Sequence, residues 1–158
     1  MKLRLIAVGK LKEGYLRAGV ADYAARLQPY VHLDMVEVPG LPDPPRPTAA
    51  AVTRVKEGEA DLILQRLAPG EPLIALDPRG RVLDSEGFAA FLRPYDAQGS
   101  RLAFALGGSW GLGRAVLDRA VLAFSLSSLT FPHGLARLIL LEQLYRACKI
   151  LRGETYHK

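Results

Sequence analysis

The chain has 158 residues, 49% of them hydrophobic, with a mean hydropathy of +0.09 and a net charge of +5 at pH 7. Such a length suits one domain with a proper core, and such a composition excludes an intrinsically disordered chain. No apolar run approaches the ~18 residues of a membrane span, the N-terminal run is too short for a secretory signal, and Cys148 stands alone, so no intrachain disulfide or thiolate zinc site forms; a cytoplasmic protein without a membrane partner is expected.

In chain order, Leu3–Val8 reads as a buried strand and Glu13–Gln28 as an amphipathic helix closed by Pro29. Val31–Val38 alternates apolar and polar residues with period two, as a half-buried strand does. PGLPDPPRP, residues 39–47, places five prolines in nine positions, an extended segment with few backbone donors. Thr48 is the expected N-cap of a helix reaching about Leu67. Pro72–Leu76 is a short strand ended by an Asp77-Pro-Arg-Gly80 turn. Asp84 or Ser85 caps a helix to about Tyr95, and Leu102–Leu106 is a strand. GGSWGLG, residues 107–113, is a loop, Arg114–Ala120 a short helix and Val121–Leu126 the last strand. Gly134–Leu151 is the last helix, followed by the polar RGETYHK. Strands separated by helices predict an α/β fold: one domain, residues 1–158, with a mostly parallel sheet of five to six strands and helices on both faces.

Ligands bind such sheets at the carboxyl ends of the strands. Three loops qualify: LDPRG from Leu76, GGSWGLG after Leu106, and SLSSLTFPHG from Ser125. The glycine loop lets backbone approach a ligand, but it lacks the third glycine of a dinucleotide fingerprint and the Lys of a phosphate-binding loop. Trp110 within it either stacks on a base or packs on its own domain or a partner subunit. Ser128–Pro132 offers backbone donors and acceptors of the kind an adenine edge needs. His32, His133 and His157 are isolated and lack metal-ligand spacing, so no metal is expected. The last helix is apolar on two faces, which points to a second subunit. Its Gln143, Arg146 and Lys149 recur every third residue and lead into Arg152, Tyr156 and His157. Residues 80–158 carry 10 Lys/Arg against 6 Asp/Glu, while residues 1–79 are nearly balanced at 11 against 10, so the basic half suits an anionic partner such as nucleic acid.

The glycine loop, the S-x-x-T-x-P-H turn from Ser127 to His133, the L-x-E-Q-L-Y-R-A run from Leu140 to Ala147 and the closing R-G-x-x-Y-H-K together resemble RlmH-type ribosomal RNA methyltransferases of the SPOUT superfamily. The resemblance runs from end to end. It implies a C-terminal trefoil knot, a homodimer, S-adenosylmethionine as cofactor, and methylation of N3 of a pseudouridine in 23S ribosomal RNA of the assembled ribosome. It also implies that Leu76, Gly107, Gly108, Ser127, Ser128, Leu129, Thr130, Phe131 and Pro132 hold the cofactor. Arg146, Tyr156, His157 and His133 would then stand near the transferring methyl, with His157 or His133 as base. Open alternatives are a non-catalytic RNA-binding module, a nucleotide-using enzyme of another class, and another methyl acceptor within the superfamily.

Overall fold

A computed structural model describes residues 1–156. Five strands and five helices follow one another as β1 (Lys2–Val8), α1 (Gly14–Leu27), β2 (His32–Val38), α2 (Ala49–Leu64), β3 (Leu73–Val82), α3 (Ser85–Ala97), β4 (Arg101–Leu106), α4 (Arg114–Arg119), β5 (Leu122–Ser125) and α5 (His133–Leu151). The strands form one sheet in the order β2-β1-β4-β3-β5, and every pairing between them is parallel.

The central strands are buried on both faces, so their side chains divide by parity. Leu3, Leu5 and Ala7 of β1, with Leu102, Phe104 and Leu106 of β4, join Phe88 and Leu92 of α3 and Leu140, Leu141 and Leu144 of α5. Ile6 and Val8, with Ala103 and Ala105, join Ala60 and Ile63 of α2 and Val116 of α4 on the other face. Phe88 stacks on Phe124 with centroids 4.8 Å apart. α5 lies between α1 and α3 on the first face. Its inner stripe is covered within the chain by the sheet and the flanking helices, while Leu135 and Ile139 stay half-buried outside both core clusters.

Local signals place most boundaries. Thr48 caps α2 by accepting from Ala51 N at 3.2 Å, although the helix ends at Leu64 and the residues to Leu67 form turns. Of the two candidate caps for α3, Asp84 is the one used, accepting from Gly87 N at 2.7 Å. The largest departure from the sequence reading is in β3. Pairing leaves β5 after Leu76, loops out through Asp77–Gly80, and resumes at Arg81, so Leu76 and Arg81 both face Phe124. The turn is real but does not end the strand: Gly80 is close enough to β5 that a Cβ there would lie 2.6 Å from the Ala123 carbonyl carbon. β5 is shorter than expected, because Ser125 Oγ donates to Ser127 O at 2.8 Å and Ser127 Oγ accepts from Leu129 N at 2.9 Å, turning the chain out of the ladder.

Candidate functional site

The carboxyl ends of β3, β4 and β5 open into a cavity of about 630 Å³, within the range of small-molecule sites. Leu76, Asp77 and Pro78 close one side, Leu106 to Ser109 with Gly111 another, and Phe124 to Ser127 with Leu129 to Pro132 a third. His133 and Ala136 are the two residues that α5 adds. The three loops singled out in the sequence thus meet around one space.

The glycine loop is a tight reversal in which Gly108 and Gly111 form an antiparallel bridge. Gly111 has φ +82°, a conformation that disfavours any residue with a Cβ. A Cβ on Gly107 would stand 2.4 Å from the Gly111 carbonyl carbon, so both limbs of the loop pack backbone on backbone. On the opposite wall, burial works against the charge of Asp77, but the hydrogen bonds from Arg79 outweigh it and hold its carboxyl below the usual carboxylate range. Arg79 supplies its backbone N–H at 2.8 Å and its Nε at 3.2 Å.

Of the residues anticipated around a cofactor, Leu76, Gly107, Gly108, Ser127, Leu129, Thr130, Phe131 and Pro132 line the cavity, while Ser128 is exposed and outside the lining. Pro132 is the N-cap of α5, and His133 begins that helix at the cavity rim. Arg146 and Tyr156 lie elsewhere. Arg146 is 13 residues beyond His133 on the same helix, a rise of about 20 Å, so it does not reach this cavity in the same chain. It pairs with Glu142 at 2.5 Å, and its guanidinium lies 4.8 Å from the Tyr156 ring centre. Tyr156 also donates to Glu142 Oε1 at 3.2 Å and packs edge-on against Tyr145. Burial pushes the Tyr156 phenol up to about 12, so near neutral pH it is a hydrogen-bond donor and not a base. His157 lies outside the described residues.

The polar ridge of α5 is not an open cationic stripe. Gln143 accepts from Ser85 Oγ at 2.8 Å, Arg146 pairs with Glu142, and Lys149 pairs with Glu154 and donates to Tyr30. Arg152 in turn pairs with Asp96. Trp110 is held on its own domain, its Nε1 donating to Asp43 Oδ1 at 2.7 Å in the proline-rich segment.

Arg137 and Glu59 are buried charged residues that had no signal in the sequence. Arg137 of α5 is 4% exposed and ties the helix to the ends of β1 and β2, donating to Gly9 O at 2.9 Å and to Glu37 at 2.6 Å. Glu59 of α2 is buried beneath Gly108. Periodicity reads the first as part of a polar helix face and the second as part of a run of alternating charge, because their partners lie far away in sequence. Among the described residues no group of three or more His, Cys, Asp or Glu is placed to hold a metal ion, and no helix is long and apolar enough to cross a membrane.

A parallel sheet covered on both faces, with a backbone-lined cavity at its carboxyl edge, defines an α/β ligand-binding enzyme domain. Residues 1–157 match the family described as "Predicted SPOUT methyltransferase", and the chain belongs to that family. It is 46% identical over 159 residues to the ribosomal RNA large subunit methyltransferase H of Carboxydothermus hydrogenoformans, with both chains covered in full. Among solved structures it is similar to a probable methyltransferase from Bordetella pertussis Tohama I, at 19% identity and a TM-score of 0.56 over 92% of this chain and 93% of that one. A putative methylase family protein from Neisseria gonorrhoeae matches at 14% identity and a TM-score of 0.50, over 90% and 81%. At those identities the two structures support the fold alone.

Proposed function

We propose that this chain transfers a methyl group from S-adenosylmethionine to large-subunit ribosomal RNA, at N3 of a pseudouridine in the assembled ribosome. The observation that carries the reading is the cavity, built from three converging loops in a chain that matches its methyltransferase relative from end to end. The residues present fit the cofactor. Apolar walls from Leu76, Leu106, Phe124 and Leu126 suit an adenosyl group, and the backbone of Ser127 and of Leu129 to Pro132 supplies the donors and acceptors that an adenine edge needs. The packing of Gly107 against the Gly111–Leu112 backbone fixes the shape of the loop that borders the cavity.

When bound, the cofactor supplies an electrophilic methyl on a sulfonium. The chain's task is to align the RNA nitrogen with it and to manage the N3 proton, which leaves as the N–C bond forms. His133 stands at the cavity rim as one candidate base, and His157 is the other. Arg146 offers a fixed positive charge for the carbonyl oxygens beside N3, and Tyr156 a neutral donor. Because Arg146 lies ten residues, a rise of about 15 Å, beyond Ala136, the last α5 residue at the cavity, and Tyr156 packs beside it, we assign both to the site of a second copy, which makes a homodimer the working unit. A C-terminal trefoil knot in the single domain rests on the chain's membership of the SPOUT family. A site of action on ribosomes makes the cytoplasm the expected location.

Incubation with labelled S-adenosylmethionine and assembled large subunits, followed by mass-spectrometric mapping of the RNA, tests the reaction. A single labelled pseudouridine is expected, and unlabelled ribosomal RNA refutes the proposal. Co-expression of a Gly107→Ala chain with an Arg146→Ala chain tests the two-chain site. Mixed dimers regain one intact site if the assignment holds, and remain as inactive as either parent if each chain uses its own Arg146.

A further inference from the structure

One turn of α2, Lys56 to Glu59, lies beneath the glycine loop without lining the cavity. Glu59 is 5% exposed. Its Oε1 accepts from Leu41 N at 3.0 Å, and Leu41 belongs to the proline-rich segment. The same carboxyl presses on the glycine loop: a Cβ on Gly108 would lie 3.2 Å from Oε2 and 3.5 Å from Oε1. Among the described residues Oε2 has no hydrogen-bond partner. Two residues earlier, Glu57 accepts from Arg114 N at 2.5 Å and so holds the far end of the loop where it enters α4. Gly58 between them makes room for Leu41, since a Cβ there would meet Leu41 Cδ1 at 2.4 Å. On the outer side, Trp110 donates to Asp43.

The proline-rich segment is therefore joined to the glycine loop twice, from below through Glu59 and from outside through Trp110. Its five prolines fix φ and make it stiff, while the loop it grips holds four glycines and has wide backbone freedom of its own. Leu41 and Asp43, two of the non-proline residues of the segment, are its tie points. A stiff element attached at two points to a pliant ligand loop removes freedom that binding would otherwise have to remove.

We propose that Glu59 is a positioning residue and that, with Asp43, it makes the proline-rich segment a strap that pre-shapes the glycine loop for its adenosyl ligand. This rests on the reading of the cavity as an S-adenosylmethionine site. Leu41, Asp43, Glu59 and Trp110 all lie outside the cavity lining and reach it only through Gly108 and the rest of the loop, so their effect is on affinity through the shape of the loop.

Trp110 is the only tryptophan in the chain, so its emission reports on the loop directly. S-adenosylhomocysteine is titrated by calorimetry into the wild-type protein and into Asp43→Ala, Glu59→Leu and Glu59→Gln, with Trp110 emission recorded before and after. Asp43→Ala and Glu59→Leu are expected to shift the ligand-free emission to the red and to weaken binding about tenfold. Glu59→Gln keeps a side-chain carbonyl for Leu41 N and is expected to restore affinity to within about twofold. Wild-type affinity in both Asp43→Ala and Glu59→Leu overturns the proposal, as does a Gln variant no better than Leu. Should Glu59→Leu fail to fold, the exposed Asp43→Ala carries the test alone. If the wild-type protein binds no S-adenosylhomocysteine, the cofactor reading fails. The ligand-free emission still decides the strap: a red shift supports it and unchanged emission in Asp43→Ala refutes it.

Discussion

Gly107→Ala probes the cavity through a single methyl group. The new Cβ would stand 2.4 Å from the Gly111 carbonyl carbon, 2.7 Å from its oxygen and 2.8 Å from Leu112 N. Carbon atoms in contact prefer about 3.5–4.0 Å, so one limb of the loop must move by roughly 1 Å, and the obstacle is backbone, which cannot rotate aside. Overpacking of this kind costs about 1–3 kcal/mol. If the loop relaxes in the free protein and must be forced back when ligand binds, that cost appears as a loss of affinity of about 5- to 150-fold. If it remains strained, the cost appears instead as a fall in Tm of about 2–4 °C per kcal/mol for a chain of this size. Calorimetric titration with S-adenosylhomocysteine and thermal unfolding measure the two shares. Gly14→Ala is the control, because a Cβ at this first position of α1 would meet only Arg17 Nη2, at 3.9 Å. Binding within twofold of wild type together with an unchanged Tm would refute the account of the loop as a backbone-packed cradle.

Arg137→Met keeps most of the buried stem but removes the ties to Gly9 O and Glu37; we expect a loss of about 1–3 kcal/mol in chemical denaturation, from the orphaned Gly9 carbonyl and the broken ion pair. Burial raises the Glu59 carboxyl above its ordinary value, and the neighbouring Asp43 charge pushes the same way. A group raised in the folded state favours folding at low pH and loses that contribution as pH climbs from its unfolded pKa through its folded one. The Tm of Glu59→Gln relative to wild type should therefore climb as pH rises above the ordinary carboxylate range. A difference that stays flat as pH rises would contradict the burial argument. Burial raises the Cys148 thiol to about 11, so its reaction with a thiol reagent at mildly alkaline pH should follow unfolding and be complete only in denaturant. Rapid labelling of the native protein would show that the α5 core opens on that timescale.

The sequence by itself determined the order of the elements, the parallel α/β class, the cap at Thr48, the Asp84–Ser85 pair from which the α3 cap is drawn, and the three loops that meet at the cavity. Those features rest on interactions between near neighbours, on hydrophobic period and on strand ends, all of which are local. The motif resemblance also marked nine of the eighteen residues that line the cavity, because glycine and proline at fixed spacing record backbone demands. Only the tertiary structure decided the strand order, the return of β3 to β5 after the Asp77–Gly80 turn, and which face of α5 the chain itself covers. It alone separated Arg146 and Tyr156 from the cavity of their own chain and paired the charges of the α5 ridge. Glu59 meets Leu41 across 18 positions, Trp110 meets Asp43 across 67, and Arg137 meets Gly9 across 128. No window along the chain holds both members of such pairs, so their chemistry exists only once the sheet has brought them together.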